Sequence, residues 1–353
     1  MQVGYSELDL ESYSVLEEPL SISVIMPVFN GAGFLSDSLP PLIDMQQRSE
    51  VLEVIVIDDG STDGSDVIAR EAGARVLYSG GRLGPGGARN QAAEVAEGNV
   101  LWFVDADVVV HPDAAHALLT GFENPDVVAV FGSYDSNPPA QNFFSRYKNL
   151  VHHYYHHRAN EEAQTFWSGC GAILREAFLS TGGFNVERYK YPSIEDIELG
   201  HRLINGGGRI RLLRNVQCTH LKVWRFVNLI HTEIFRRAIP WSRLIMSAGD
   251  GIPNDLNVGM SEQVRAILAG ILLLSLLGWS CGYLSFSLLL VSVLLVLLAN
   301  TEIALFFYRR GGLFFALRAV LFHQVYYLYS ASAFAWVVIE RAIGRLFHLE
   351  PLS

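Results

Sequence analysis

Val54-Ile55-Val56-Ile57-Asp58-Asp59-Gly60-Ser61-Thr62-Asp63 is the stretch whose reading decides the fold. Four consecutive β-branched residues make a strand buried on both faces, because a half-exposed strand would alternate apolar with polar positions. The chain then turns abruptly to carboxylates, and Gly60 permits a sharp turn after them. Outward from this point, Ile22–Val28, Arg75–Tyr78, Val100–Val104 and Val127–Phe131 are further short apolar runs, with helix-length segments between several of them. That alternation predicts an α/β domain with a mainly parallel sheet. Ligands of such sheets bind beyond the carboxyl ends of the strands. The candidate site therefore falls at Pro27 to Asn30, Asp58-Asp59, Gly80-Gly81 and Asp105-Ala106-Asp107.

Charge separates the 353 residues into two parts. Residues 1–263 carry a net −13 and residues 264–353 a net +3. An acidic domain repels nucleic-acid phosphates, so no nucleic acid partner is expected. Cys170, Cys218 and Cys281 show no C-x-x-C spacing, and their odd, scattered placement suits a reducing compartment rather than a disulfide framework. Residues 1–20 are acidic, lack the basic start and apolar run of a secretory signal, and are expected to be flexible and cytoplasmic.

The back of the chain is apolar. Stretches at about 264–281 and 284–308 approach or exceed the roughly 18–20 residues that cross a bilayer as a helix. A third, about 313–338, contains Arg318, His323 and Gln324, so it spans, packs on the others or lies in the interface. Arg309-Arg310 favours a cytoplasmic loop after the second stretch, which puts the front domain on the cytoplasmic side of a multi-pass membrane protein. The expected organisation is a catalytic domain at 21–245, an interfacial connection at 246–263, a membrane region at 264–340 with two to three helices, and a tail at 341–353.

Each motif has a functional and a structural reading. Carboxylates at Asp58 and Asp59 suit a base N–H or a ribose hydroxyl; alternatively they form a polar turn in which Thr62 or Asp63 caps a helix. Asp105 and Asp107, two residues apart at a strand end, suit a hard divalent cation such as Mn²⁺ or Mg²⁺, which a diphosphate donor needs to neutralise its leaving charge. Gly84-Pro85-Gly86-Gly87-Ala88-Arg89-Asn90 opens a helix whose backbone N–H groups and Arg89 could meet phosphate or hold a nucleotide loop. It lacks the Gly-Lys-Ser/Thr of a P-loop and the G-x-G-x-x-G of a dinucleotide site, so hydride transfer is disfavoured. Glu195-Asp196 begins a segment of helical period after Gly182-Gly183-Phe184. A carboxylate there can act as a general base, or simply suit the helix macrodipole. His152, His153, His156 and His157 have i,i+4 spacing, without the Glu of a zinc-enzyme pattern; an acceptor-side or interfacial role is expected of them.

Taken together, PVFNGAGFL, VIVIDDGSTDGS, GPGGARN, VDAD, GGF and EDIELGHRL, in this order from Ser21 to Trp241, resemble the family 2 glycosyltransferases of GT-A fold. The resemblance implies a Rossmann-like nucleotide-diphospho-sugar transferase domain with C-terminal transmembrane helices. It implies a donor pocket of Pro27, Phe29, Asn30, Asp58, Asp59, Arg89, Asp105 and Asp107, in which Asp59 contacts the base, supported by Asp58. Asp105 would lie by the ribose and diphosphate, and Asp107 would bind the metal. Asp196, beside Glu195, would deprotonate the acceptor hydroxyl for an inverting transfer. Trp167, Gly169, Gly183 and Phe184 match the acceptor side. His220 resembles a histidine brought towards the metal, where a structural role is equally open. Arg236, Arg237 and Trp241 loosely resemble the Q-x-x-R-W segment of processive synthases, with the Gln missing and Pro240 breaking the spacing. They would neutralise the leaving diphosphate or bind lipid headgroups.

The expected activity is transfer of a sugar from a nucleotide-sugar donor, with a lean to UDP, onto a lipid-linked or saccharide acceptor, with membrane lipids as further partners. A processive polysaccharide synthase and a non-catalytic membrane scaffold are the competing readings. A nucleotidyltransferase should carry an Arg/Lys-containing glycine loop where this chain has Phe29 to Gly33.

Overall fold

A computed structural model describes residues 19–248 and 258–346. Most of the expected flexible segment 1–20, residues 249–257 of the expected connection, and residues 347–353 of the expected tail lie outside the described residues. The chain divides between Val223 and Trp224 into two compact units, so the expected domain end near 245 falls within the second.

The first unit follows the α/β alternation. Its elements are β1 (Ile22–Val28), α1 (Ala32–Gln47), β2 (Glu53–Asp58), α2 (Ser65–Glu71), β3 (Arg75–Tyr78), α3 (Gly84–Val95), β4 (Val100–Val104), β5 (Val108–Val110), α4 (Ala114–Leu119), β6 (Val127–Tyr134), α5 (Phe143–Arg158), β7 (Glu162–Ala163), β8 (Cys170–Leu174), α6 (Arg175–Ser180), α7 (Glu195–Asn205) and β9 (Arg209–His220). They build one mixed, mainly parallel sheet in the order β3-β2-β1-β4-β8-β6-β9-β5, with β7 also on β9. Val24 lies opposite Val54 on one side and Trp102 on the other, so β1 is a central strand. β2 and β4 are buried at every position, as their unbroken apolar character requires. β8 runs antiparallel between β4 and β6, which brings β6 and β9 into the same direction as β4. All these carboxyl ends therefore share one edge of the sheet. Beneath that edge Phe103, Phe178 and Phe184 form a three-ring cluster with centroids 5.2 to 5.4 Å apart. Full burial of one such ring contributes about 1.5–3 kcal/mol, which makes this cluster a stiff floor under the site.

The second unit is helical: α8 (Phe226–His231), a π-helical turn (Thr232–Ala238), α9 (Ile239–Ala248), α10 (Met260–Ser280), α11 (Phe286–Ala299) and α12 (Thr301–Leu346). α10 is long and apolar enough to cross a membrane, and α11 with α12 counts as a second candidate bent by 66°. The second apolar stretch does not run unbroken to 308, because the helix stops at Asn300, which is fully buried and donates to the Val296 carbonyl at 2.9 Å. The third stretch lies within α12, beyond a break at Gly312 with φ 75°. Of its polar groups His323 and Gln324 are buried and Arg318 is exposed, while Tyr327 donates to Glu262 of α10 at 2.7 Å, and Glu262 pairs with Arg265. Arg265 also donates to the Ala299 carbonyl at 2.9 Å. These bonds satisfy groups that hydrocarbon could not. Arg243 of α9 pairs with Glu340 of α12 at 2.9 Å.

Candidate active site

The side expected to hold the donor is built from the loops after β1, β2 and β3. Asn30 adopts φ 50°, a left-handed conformation that a short polar side chain tolerates. Its Oδ1 accepts from Thr62 N–H at 2.9 Å, while its own N–H donates to Ser61 Oγ at 2.9 Å. The two loops are thereby stitched together. Asp63 continues the seam, accepting from Ala32 N–H at 2.9 Å and Ser65 N–H at 3.1 Å. It does not cap α2, whose N-cap position is Gly64, and neither does Thr62. Asp58 accepts from Ser61 N–H at 3.2 Å. Asp59 is 4% exposed and accepts from Ser79 Oγ at 2.7 Å, Leu83 N–H at 2.8 Å and Gly84 N–H at 2.9 Å. This carboxylate is thus engaged by the loop after β3. Phe29 is exposed, with the Arg82 guanidinium 3.7 Å above its ring. Pro27 lies inside β1 opposite Ile57.

The end expected to meet the phosphates is built from β4, β5 and β9. Arg89, 3% exposed on α3, pairs with Asp105 just past the end of β4. Burial raises the Asp105 carboxyl above its ordinary value; Arg89 opposes the rise, and the charges of Asp107 and Asp196 add to it. Asp107 sits in the turn to β5, and its carbonyl accepts from Leu221 N–H at 2.8 Å. Its Oδ2 stands 3.6 Å from Nε2 of His220, the last residue of β9. Burial works against ionisation of Asp107, but the nearby His220, followed by the charge of Lys222, outweighs it and lowers the carboxyl. The His220 ring is stacked on Tyr134, 4.4 Å between centroids and 8° from parallel, which fixes where its nitrogen points. A carboxylate and an imidazole converging on one point suit Mn²⁺ or Mg²⁺ with the remaining positions left to phosphate and water. No group of three or more His, Cys, Asp or Glu arranged to hold a metal occurs among the described residues.

The side expected to face the acceptor lies across β8. Asp196 is in the first turn of α7, where its Oδ2 accepts from Ser168 N–H at 3.1 Å and Ser168 Oγ at 3.3 Å. Its neighbour Glu195 is 7% exposed and accepts from Ser193 N–H at 2.7 Å. Burial first, and the Asp196 charge second, push the Glu195 carboxyl up to about 7. Trp167 rests against Gly169, where an added Cβ would come within 2.6 Å of the indole, so this close approach requires glycine. Tyr134 meets Trp167 edge-on at 4.8 Å, and His152 lies 4.6 Å from Trp167. Together they form an aromatic wall running to His220.

The histidines of α5 do face one another at i,i+4 spacing, but the structure uses them for packing. His153 Nδ1 donates to the Tyr134 carbonyl at 2.8 Å and His156 Nδ1 to the Gly132 carbonyl at 3.1 Å. Burial pushes His156 down to about 3, which keeps it neutral. Gly183 and Phe184 sit in the turn before α7 and meet Asn90 rather than open solvent. Arg236, Arg237 and Trp241 belong to the second unit, where Arg237 stands 3.6 Å from Glu233. Sequence reasoning gave no role of their own to Tyr134 and Ser168, which hold His220 and Asp196, nor to Asn90 and Arg202. Asn90 and Arg202 stand inside GPGGARN and EDIELGHRL, and Ser168 between Trp167 and Gly169, and that was their signal; nothing marks Tyr134.

Comparison with known proteins covers this site unevenly. Residues 23–181 match glycosyl transferase family 2, a span that holds Asp58, Asp59, Asp105 and Asp107 but ends before Asp196 and His220. The chain is 31% identical over 118 residues to an uncharacterized glycosyltransferase of Haemophilus influenzae, covering 32% of this chain and 46% of that protein. It is 30% identical over 118 residues to glycosyltransferase GlyG of Streptococcus pneumoniae, covering 32% and 38%. The chain thus spans less than half the length of these relatives. Among solved structures it is similar to the mannosyltransferase PcManGT of Pyrobaculum calidifontis in complex with GDP-Man and Mn²⁺. That likeness has a TM-score of 0.58 at 19% identity, over 93% of this chain and 92% of that one. It establishes a GT-A-like fold with a C-terminal helical region.

Proposed function

We propose that this chain, which carries a family 2 glycosyltransferase domain of GT-A-like fold, performs inverting, metal-dependent transfer of a sugar from a nucleoside-diphosphate donor to a hydroxyl acceptor. The observation that carries the reading is the convergence on one sheet edge of the Asp107–His220 pair, 3.6 Å apart, and of Asp196 held on Ser168. Asp107 and His220 would hold Mn²⁺ or Mg²⁺, which when bound neutralises charge on the departing diphosphate. Phe29, Asn30, Asp58 and Asp59 shape the nucleoside end, and Arg89 with Asp105 borders the sugar and phosphates. Asp196 takes the acceptor proton as the acceptor oxygen bonds to the anomeric carbon, whose bond to the diphosphate oxygen breaks. One displacement inverts the configuration, and the nucleoside diphosphate leaves. The aromatic wall of Tyr134, His152 and Trp167 suits an acceptor that offers a sugar face.

The acceptor is a lipid-linked or saccharide hydroxyl used at the cytoplasmic face of a membrane. Supporting this, α10 is apolar along 21 residues and Arg309-Arg310 follows the second apolar stretch, the side that positive charge favours. Membrane lipids are then partners of the helical unit. A UDP donor is the starting expectation. Purified full chain should release nucleoside diphosphate from one member of a nucleotide-sugar panel only with Mn²⁺ or Mg²⁺ present. Addition of single sugars to an acceptor would separate it from a processive synthase. No turnover of any donor and no metal-linked nucleotide binding would overturn the reading in favour of a scaffold.

A further inference from the structure

The turn Thr181-Gly182-Gly183-Phe184 stands between the helix that carries Arg89 and the helix that begins with Glu195-Asp196. It contains two consecutive left-handed glycines, φ 79° at Gly182 and 64° at Gly183, so its carbonyls point where ordinary turns cannot send them. Both sides of the turn are gripped. From α3, Asn90 makes a reciprocal pair with one residue: Phe184 N–H donates to Asn90 Oδ1 at 2.8 Å, and Asn90 Nδ2 donates to the Phe184 carbonyl at 2.8 Å. From α7, Arg202 donates to the Thr181 carbonyl at 2.5 Å and the Gly183 carbonyl at 2.6 Å. The same guanidinium pairs with Glu198, one helical turn earlier, at 2.9 Å, and both side chains are largely buried. The planar guanidinium fork makes four hydrogen bonds here, one more than the three donors of a lysine ammonium supply.

The grip reaches the reacting groups on both sides. Asn90 directly follows Arg89, which pairs with Asp105 and lies 5.4 Å over the Phe184 ring. Gly86, in the first turn of α3, leaves the space that Phe184 and Glu195 occupy: a Cβ added there would be 3.2 Å from Phe184 Cβ and 3.8 Å from Glu195 Cγ. Asp105, Arg89, Asn90, the turn, Arg202 and the head of α7 thus form one continuous chain of contacts.

We propose that Asn90 and Arg202 are positioning residues: by clasping the Thr181–Phe184 turn from both sides, they hold the base-bearing end of α7 in register with the donor-side Arg89. This rests on the assignment of Asp196 as base. Neither residue touches the reacting atoms. Loss of either should let α7 drift from the donor while the pocket of Asp58, Asp59 and Asp107 stays intact.

The test uses the full chain in detergent with Arg202→Met, Arg202→Lys, Asn90→Leu and Asn90→Asp. Two measurements are paired: transfer kinetics against UDP affinity with Mn²⁺, and hydrogen exchange at the amides of 181–184 and 195–199. Expected for Arg202→Met and Asn90→Leu is a kcat lowered by about 10- to 100-fold, the scale of a misplaced catalytic group, with UDP affinity within about threefold. Asn90→Asp keeps the acceptor for Phe184 N–H and should fall between wild type and Asn90→Leu. The diagnostic result is faster exchange at 195–199 in Asn90→Leu, a change made on a different helix. Exchange that quickens only at 181–184, transfer at the wild-type rate, or UDP affinity lost in proportion to kcat would each overturn the proposal. If Arg202→Met fails to fold, Arg202→Lys and the two Asn90 variants decide. If wild type turns over no donor, the transfer reading falls, whereas the exchange data still test the coupling between the helices.

Discussion

Replacing Glu195 by glutamine removes one titration from the first unit and leaves its packing in place. The wild-type carboxyl rises from 4.5 to about 7 in the folded chain, through burial and then the charge of Asp196. Below about pH 4.5 the proton is bound in folded and unfolded chains alike. Between there and pH 7 only the folded chain holds it, so stability falls as pH rises through this window. At about 1.36 kcal/mol for each tenfold in proton affinity, the loss amounts to about 3 kcal/mol. Glutamine is neutral throughout and still offers an oxygen to Ser193 N–H, which Glu195 meets at 2.7 Å. The variant should match wild type near pH 5 and exceed it by about 3 kcal/mol at pH 8. For a unit of this size that corresponds to about 6–12 °C, at about 2–4 °C for each kcal/mol. Thermal melts of the full chain in detergent from pH 5 to 8 read the difference. Two melting curves that stay parallel across that range would refute the reasoning, since the wild-type pH dependence would then owe nothing to Glu195.

Other outcomes follow from the same geometry. Asp196→Asn keeps the bond from Ser168 but cannot take a proton, so transfer should drop about 10²–10⁴-fold while UDP affinity is unchanged; a wild-type rate with chemistry limiting would remove Asp196 as base. Asp107→Ala should abolish the Mn²⁺-dependent part of UDP binding in calorimetry, and undiminished metal-linked affinity would count against the Asp107–His220 site. Gly183→Ala should destabilise by about 1–3 kcal/mol, because its φ is 64° and its Cβ would come within 2.5 Å of Asn90 Oδ1. Denaturant unfolding checks this, and a neutral effect would mean the turn relaxes freely.

The parallel core was legible because its strands are unbroken apolar runs, and β1, β3 and β4 have the limits those runs suggest. β8 was not legible as the strand between β4 and β6, since Cys170–Leu174 meets Val100–Val104 only through a pairing distant in sequence. Site residue types were readable at strand ends, but their partners were not. Asp59 looks like a carboxylate offered to a ligand, yet the amides of Leu83 and Gly84 and the hydroxyl of Ser79 engage it. The same holds for α5, where the histidine spacing was visible and the β6 carbonyls that use it were not. In the tail, the gap between the stretches at 284–308 and 313–338 holds the break at Gly312, whereas the stop at Asn300 falls inside the second stretch, because hydropathy counts residues without seeing bends.

The pairing of β5 with β9 sets the order in which the first unit can be completed. Val108–Val110 finds Cys218–His220 as its partner, a closure spanning about a hundred residues, the kind that costs most chain entropy and forms slowly. β1 to β4 can assemble from nearby segments, so the loops proposed to hold the nucleoside have their parts early. Asp107 receives Leu221 N–H and His220 only when β9 docks. On the proposed assignment, metal-linked nucleotide binding is therefore a property of the finished chain alone. In a refolding experiment it would lag the recovery of helix and sheet, reporting the last strand home.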